Sequence, residues 1–195
     1  MLTLIYGGSS SGKSAFAEDY VCKSKHRNKY YLATMDVKDE ESKARVEKHR
    51  SLRSGKGFVT LEHSVDVYEA LPEIIQIDSG DFSTNAKGPQ SVILLECMSN
   101  LVANEMFRDG EINSADDTVE KVIKDISELH NDRVSLVVVS NNVFEDGNEY
   151  DVGTQNYLKA LGLVNERMAT IADEVYEVVV GIPVKHKEGS SDENS

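Results

Sequence analysis

A glycine-rich segment near the start of the chain carries the clearest chemical signal in the sequence. Residues 7–14 read Gly-Gly-Ser-Ser-Ser-Gly-Lys-Ser and match the pattern G-x-x-x-x-G-K-S/T at every position. Gly7 and Gly12 permit backbone angles that turn successive N–H groups inward, and a helix that starts there adds its positive end. This segment therefore predicts a phosphate-binding loop for a nucleoside triphosphate. The expected phosphate contacts are Gly7, Gly8, Ser9, Ser10, Ser11, Gly12, Lys13 and Ser14.

Two side chains of this loop have defined chemical roles. Lys13 is expected to reach the β- and γ-phosphates as a catalytic cation, and the Ser14 hydroxyl is expected to bind Mg²⁺. The loop does not select the base, so ATP and GTP both remain open. The Asn-Lys-x-Asp motif that reads guanine in small GTPases is absent from the sequence, which argues against a GTPase switch.

A second candidate metal ligand follows the apolar run at residues 91–95. Glu96 comes directly after that run, and a carboxylate at the end of such a strand commonly holds Mg²⁺ opposite the serine of the loop. The alternative is that Glu96 caps the helix that follows. The presence of the phosphate loop favours the metal role.

Residues 43–56 form a basic segment in an otherwise acidic chain. Six lysines and arginines stand there against one acid, Glu47. On a helix, Arg45, His49 and Arg53 would share one face, and an imidazole between two guanidiniums stays neutral near pH 7. A neutral imidazole can act as a nucleophile. The residues alone leave a second interpretation open, a solvated basic helix with an incidental histidine.

The elements that must position these residues alternate between strand and helix. We predict strands at residues 2–6, 29–34, 58–62, 91–95, 134–140 and 174–180. We predict helices from the loop to about residue 24 and at residues 38–53, 65–77 (interrupted by Pro72), 115–130 and 154–172. This alternation indicates an α/β fold of the P-loop NTPase type, with a mostly parallel sheet flanked by helices. Ligands of such sheets bind at the C-terminal ends of the strands.

Composition limits the classes of protein that need consideration. The chain has 195 residues, 39% hydrophobic and 28% charged, which is typical of one soluble domain, expected at residues 1–187. The acidic tail at residues 188–195 is expected to be disordered. The net charge of −13 argues against nucleic acid as a partner, and no apolar run approaches the length of a membrane span. Two cysteines without metal-ligand spacing favour a reduced, cytoplasmic protein without structural zinc.

Several segments together resemble a known family. From Leu4 to about Lys187 the chain resembles the bifunctional adenosylcobinamide kinase/adenosylcobinamide-phosphate guanylyltransferases of cobalamin assembly. The most specific segment is Ala-Arg-Val-Glu-Lys-His-Arg (44–50) with Arg53, combined with Gly-Ile-Pro-Val-Lys (181–185). The other matching segments are residues 7–14, 31–34, 60–62, 94–97, 139–141, 164–167 and 172–175.

The resemblance implies a covalently guanylylated histidine at position 49. It also implies a homotrimer, the substrates adenosylcobinamide and adenosylcobinamide phosphate, and GTP or ATP with Mg²⁺. Residues 142–147 depart from the family's usual Glu-Val-Gly-x-Gly, and Phe58 replaces its usual tryptophan. The nucleotide contacts that the resemblance implies are Ala33, Thr34, Met35, Arg50, Ser51, Leu52, Arg53, Glu62 and Glu96.

Two other functions use part of the same residues. A simple P-loop kinase of a small alcohol would need the loop and Glu96 but no nucleophilic His49. A regulatory module would bind GTP without transferring any part of it.

Overall fold

The computed structural model describes residues 1–36, 55–78, 89–131, 133–142 and 150–189. The strands are β1 (Leu2–Gly7), β2 (Asn28–Ala33), β3 (Phe58–Glu62), β4 (Ser91–Glu96), β5 (Val134–Asn141), β6 (Glu174–Val179) and β7 (Ile182–Lys187). The helices are α1 (Lys13–Lys23), α2 (Ala70–Asp78), α3 (Met98–Met106), α4 (Ala115–Leu129) and α5 (Val152–Ile171). Short 3₁₀ turns lie at Val67–Glu69 and Arg108–Gly110.

In this part of the chain the strands form one seven-stranded sheet in the order β3-β2-β4-β5-β1-β6-β7. Strands β1 to β6 pair in parallel, and β7 pairs antiparallel with β6. The predicted α/β fold with a mostly parallel sheet is therefore confirmed. The carboxyl ends of the six parallel strands share one edge of the sheet, where parallel sheets bind their ligands.

Helices cover both faces of this sheet, so its central strands β1, β4 and β5 are buried along nearly their whole length. Leu4 and Ile5 are adjacent in β1 yet lie in different apolar clusters, because successive side chains of a strand point to opposite faces. Leu4 packs in the larger cluster, which includes buried residues of α3, α4 and α5. Ile5 packs in the smaller cluster with Ala17 and Val21 of α1.

Helix α4 follows the sequence expectation closely. Ser114 precedes its first residue, and the Ser114 hydroxyl accepts a hydrogen bond from the Asp117 N–H at 3.1 Å. This contact satisfies one of the N–H groups that a helix start leaves open. Val119, Val122, Ile126 and Leu129 are buried against the sheet, and Ile123 packs at the margin of the same cluster.

Helix α5 differs from expectation at both ends. It begins at Val152 rather than residue 154, because the Asp151 carboxylate accepts a hydrogen bond from the Thr154 N–H at 3.1 Å and so caps an earlier start. Leu161, Val164 and Met168 are buried, whereas Ile171, the last residue of the helix, is 45% exposed.

Other differences have local causes. Pro72 stands in the first turn of α2, where a missing N–H leaves no helical hydrogen bond unmade, so the helix continues through it. Asp78, one residue beyond the predicted helix at 65–77, belongs to α2. Helix α3 and strand β7 were not predicted as elements. The helix predicted at residues 38–53 and most of the predicted tail lie outside the described residues.

None of the described helices combines the length and apolar character needed to cross a bilayer.

Candidate active site

The predicted phosphate loop connects β1 to α1 at the carboxyl edge of the sheet. Gly12 immediately precedes α1 and has φ 92°, a left-handed conformation that favours glycine. Gly7 faces a different constraint, since a Cβ there would lie 2.6 Å from the Val178 carbonyl oxygen. Both glycines of the motif are therefore required by the backbone geometry.

The turn between β6 and β7 packs against the phosphate loop and holds it in place. The Gly181 N–H donates a hydrogen bond to the Ser11 carbonyl oxygen at 2.7 Å. A Cβ on Gly12 would lie 3.3 Å from the Gly181 Cα, so the two backbones are in close contact. This support was missed from the sequence, although the segment 181–185 was among the most specific parts of the family resemblance.

Lys13 is held within the loop that precedes it. The side chain is 8% exposed, and its Nζ donates a hydrogen bond to the Gly8 carbonyl oxygen at 3.0 Å. Burial lowers the pKa of Lys13 from the ordinary lysine value, and this effect outweighs Cys97 and Glu96, which act to raise the pKa. The ammonium group therefore lies where the loop is expected to hold phosphate, in a setting that favours pairing with an anion.

Ser14 and Glu96, the two expected Mg²⁺ ligands, are in contact. The Ser14 hydroxyl donates a hydrogen bond to Glu96 Oε1. Ser14 lies in the first turn of α1, and Glu96 is the last residue of β4. A hydroxyl and a carboxylate are hard oxygen donors of the kind that Mg²⁺ prefers, so this pair fits a magnesium ion bound beside the loop.

The ends of β2, β3 and β4 align across the same edge. Ala33 pairs in register with Glu96 on one side and with Glu62 on the other. Neighbouring strands are about 4.8 Å apart, so the row from Glu62 to Glu96 spans roughly 10 Å. Three residues expected at a nucleotide site thus lie side by side, and Met35 follows two residues beyond Ala33.

Thr34 has a role within the fold. Its side chain is fully buried, and its hydroxyl donates a hydrogen bond to the Cys97 carbonyl oxygen at 2.8 Å. Its own carbonyl oxygen accepts a hydrogen bond from Asn104 Nδ2 at 2.8 Å. These bonds fix the end of β2 against α3, and the expected nucleotide contact at Thr34 stays a prediction.

A cavity of about 400 Å³ opens beside the loop and the start of α1. Lys56 lines it from outside the loop, and its Nζ forms an ion pair with the buried Glu18 carboxylate of α1. Lys56 is the last basic residue of the segment noted at residues 43–56. It joins the described end of that segment to the helix that begins with Lys13.

A polar network on the other side of β4 was not foreseen. The Ser99 hydroxyl accepts a hydrogen bond from Asn141 Nδ2 at 2.6 Å and lies 3.0 Å from Cys97 Sγ. The Tyr157 hydroxyl donates to the Ser99 carbonyl oxygen at 3.3 Å. This network ties the ends of β4 and β5 to α5 close to the phosphate loop. Asn141 could have been noticed, since it ends an apolar strand as Glu96 does.

Several expected site residues lie outside the described part of the chain. They are Arg45, His49, Arg50, Ser51, Leu52 and Arg53. The chain leaves β2 by way of Asp36 and is described again from Gly55. The nucleophile and the residues around it therefore remain predictions.

A second group of acids has a different character. Asp66, Glu105 and Asp125 lie close enough to share a ligand. Lys121 occupies the space between them, with its Nζ 2.7 Å from Asp66 Oδ1 and 2.5 Å from Asp125 Oδ2. Arg108 pairs with Asp66 at 2.6 Å from the other side. These ion pairs indicate a structural cluster that joins α3 and α4 to the 3₁₀ turn at Val67–Glu69.

Comparison with known proteins gives consistent matches. The family model described as cobinamide kinase / cobinamide phosphate guanyltransferase matches residues 3–186. A relative from Escherichia coli (strain K12), named bifunctional adenosylcobalamin biosynthesis protein CobU, is 31% identical over 96% of this chain and 100% of its own length. A relative of the same name from Salmonella typhimurium is 29% identical over the same shares.

Among solved structures, an ATPase domain is similar in fold. It superimposes with a TM-score of 0.50 at 13% identity, covering 90% of this chain and 68% of that chain. At this identity the likeness concerns the fold alone, and it agrees with the sheet of a P-loop NTPase described above.

Proposed function

The chain belongs to the cobinamide kinase / cobinamide phosphate guanyltransferase family, and we propose that it is a bifunctional enzyme of cobalamin biosynthesis. It phosphorylates adenosylcobinamide, and it transfers GMP from GTP to adenosylcobinamide phosphate to give adenosyl-GDP-cobinamide. One observation carries this proposal: the phosphate loop and the Ser14–Glu96 pair meet at the carboxyl edge of the sheet.

A nucleoside triphosphate and Mg²⁺ are the ligands of this site. Main-chain N–H groups of residues 7–14 and the N-terminus of α1 face the phosphates, as in other loops with this pattern. Ser14 and Glu96 would hold Mg²⁺, which when bound supplies positive charge to the phosphate oxygens. GTP is the guanylyl donor, and either ATP or GTP serves as the phosphate donor.

In the kinase step the aminopropanol hydroxyl of adenosylcobinamide attacks the γ-phosphorus. The bond between the γ-phosphorus and the bridging oxygen breaks, and the nucleoside diphosphate leaves. Charge accumulates on the transferred phosphoryl oxygens, where Lys13 stabilises it. The buried setting of Lys13 makes this stabilisation stronger than it would be in water.

In the guanylyl step the imidazole of His49 attacks the α-phosphorus of GTP. Pyrophosphate leaves, with its charge stabilised by Lys13, and GMP stays bound to the histidine. The phosphate of adenosylcobinamide phosphate then attacks the same phosphorus and releases the histidine. Splitting one difficult displacement into two is ordinary covalent catalysis. Arg45 and Arg53, which would flank the imidazole on a helix, would hold attached or passing phosphates.

The described residues before and after the segment that contains His49 support a reaction between His49 and a nucleotide bound at the phosphate loop. Asp36 follows the end of β2 on the active-site edge, and Lys56 lines the cavity beside the loop. Both described ends of the segment that contains His49 are thus attached to elements of the proposed site. Glu62, Ala33, Thr34 and Met35 lie on the β2–β3 side of that edge and are proposed as further nucleotide contacts, together with Ser51 and Leu52.

The assembly and the location of the protein are parts of the same proposal. Residues 1–187 form one catalytic domain, and three copies assemble into a homotrimer. Sedimentation would then give a mass of three times 21.6 kDa. Cys22 and Cys97 are both unbridged thiols, which suits the reducing cytoplasm.

The proposal is tested by supplying each acceptor in turn. With adenosylcobinamide phosphate, GTP and Mg²⁺, mass spectrometry should detect adenosyl-GDP-cobinamide in amounts equal to the pyrophosphate released. With adenosylcobinamide and γ-labelled ATP or GTP, label should appear in the corrinoid. Phosphate transfer without any guanylylated product would instead indicate the simple P-loop kinase, and nucleotide binding without either product would indicate a regulatory module.

A further inference from the structure

A cavity of about 460 Å³ lies at the edge of the sheet opposite the phosphate loop. Phe16, Tyr20 and Val21 of α1 form one wall, and Val92 and Val137 of the sheet form the other. Met1 and Ser135 also line it, and with Val92 they lie at or beside the first residues of β1, β4 and β5, which places the cavity toward the amino ends of the parallel strands. Its volume falls within the range of about 300–1,000 Å³ that is typical of small-molecule sites.

The rim of this cavity is basic. Lys23, Lys25 and His26 line it. Asp19 is the acid among the described lining residues, and Lys23 neutralises it at 2.6 Å. These residues open the sequence Lys-Ser-Lys-His-Arg-Asn-Lys at positions 23–29, a second basic stretch, this one without acids, in a chain of net charge −13. The local positive charge here is opposite in sign to the net charge of the chain, and it would attract an anion to this rim.

His26 fixes one side of the rim in place. Its Nε2 lies 3.0 Å from the Ser135 hydroxyl and its Nδ1 lies 3.0 Å from the Ser24 hydroxyl. Burial, together with the positive charges of the N-terminus and Lys29, lowers the pKa of His26. The ring is thus held between β5 and the end of α1 as a neutral group, and Lys25 supplies the charge that Asp19 does not offset.

We propose that this cavity is a binding site for a small organic anion, an apolar ring system that carries one carboxylate, sulfonate or phosphate group. The aromatic and aliphatic walls would take the ring out of water, and Lys25 at the rim would pair with the charged group. The concave shape and the limited volume favour a small molecule over a macromolecular partner.

This site is distinct from the nucleotide site. The phosphate loop ends in the first turn of α1, and Lys23 and Ser24 stand at the other end of that helix. Eleven residues of helix separate the two ends, a length of about 16 Å. The inference does not rest on the proposed function, because no residue of the phosphate loop lines this cavity.

A titration of the full chain with 8-anilinonaphthalene-1-sulfonate, an apolar ring system with one negative charge, tests the site. We expect saturable fluorescence enhancement with one probe per chain. Lys25→Glu should weaken binding about fivefold, since it reverses one charge at the rim. Lys124→Glu makes the same charge change at a residue 73% exposed on α4 and should leave the affinity unchanged.

Three results would overturn the proposal. The first is an equal loss of affinity in Lys25→Glu and Lys124→Glu, which would mean that only net charge matters. The second is displacement of the probe by excess GTP, which would place the probe in the nucleotide site. The third is the absence of saturable binding to the wild-type chain, as expected if a second copy of the chain covers this face.

Discussion

The Ser14 hydroxyl donates a hydrogen bond to the Glu96 carboxylate, although 82 positions separate the two residues in sequence. The contact joins the start of α1 to the end of β4, two elements that the fold brings together at one edge of the sheet. It places two hard oxygen donors, of the kind that a magnesium ion prefers, next to each other beside the phosphate loop. This contact supports the expectation that Glu96 acts together with the phosphate loop. The alternative role of capping α3 is not supported, because the residue that precedes the first residue of that helix is Cys97.

Glu96→Gln should raise the Mg²⁺ concentration needed for half-maximal nucleotide turnover by about tenfold or more, because the amide loses the negative charge that holds the cation. The measurement is turnover against Mg²⁺ at saturating nucleotide. Glu128→Gln, at a residue 46% exposed on α4, is the matched control and should not shift the curve. An unchanged curve for Glu96→Gln would remove this residue from the metal site.

Lys13→Ala should reduce both phosphate transfer and guanylyl transfer by about 100-fold or more, because both transition states place new charge on phosphate oxygens near the Lys13 ammonium. Initial rates with each acceptor measure the two effects. Lys23→Ala removes the same charge at the exposed end of the same helix and should leave both rates nearly unchanged. A loss in one reaction alone would show that the two steps do not share this cation.

Gly12→Ala should weaken nucleotide binding about tenfold or more. The new methyl group would meet Gly181, and φ 92° is unfavourable for alanine. Gly110→Ala is the control, since Gly110 has φ +81° but open space around the added Cβ. Both variants should lose about 1–2 kcal/mol of unfolding free energy from backbone strain. Calorimetric titration with nucleotide should separate them, and equal affinities would contradict the close contact with Gly181.

Lys121→Ala should lower the unfolding free energy by about 2 kcal/mol or more, because it leaves the buried Asp125 carboxylate without its cation and leaves Glu105 with Arg108 alone. Urea denaturation measures this change. Lys124→Ala removes a cation from the exposed face of the same helix, where its pair with Glu128 spans 3.9 Å, and should stay within about 0.5 kcal/mol of the wild type. Equal effects of the two substitutions would mean that the cluster contributes no special stability.

The sequence predicts those parts of the fold and site whose causes are local. The phosphate loop and strand β3 each depend on neighbouring residues. The loop segment lies between β1 and α1, and β3 spans Phe58–Glu62, both at the predicted positions. Glu96 was predicted for a related reason, since a carboxylate after a continuous apolar run marks the active edge of a parallel sheet.

Other features depend on contacts that no local pattern reveals. The support of the phosphate loop by Gly181 joins backbone groups 170 positions apart, so it exists only once β6 lies beside β1. Strand β7 is exposed along its whole length, and the buried-exposed alternation that marks most strands is therefore missing from it. Helix α3 begins two residues after β4 without a side-chain hydrogen bond at its cap, which leaves its start without a sequence signal.

The central claim is that the imidazole of His49 carries GMP between GTP and the acceptor. Incubation with α-labelled GTP and Mg²⁺ in the absence of acceptor tests it most directly. The wild-type chain should retain label through denaturation, and mild acid should release it, as expected of a phosphoramidate. His49→Ala should retain no label while keeping most of its phosphate transfer to adenosylcobinamide. A stable labelled adduct on His49→Ala, or none on the wild type while guanylyl transfer proceeds, would contradict the account.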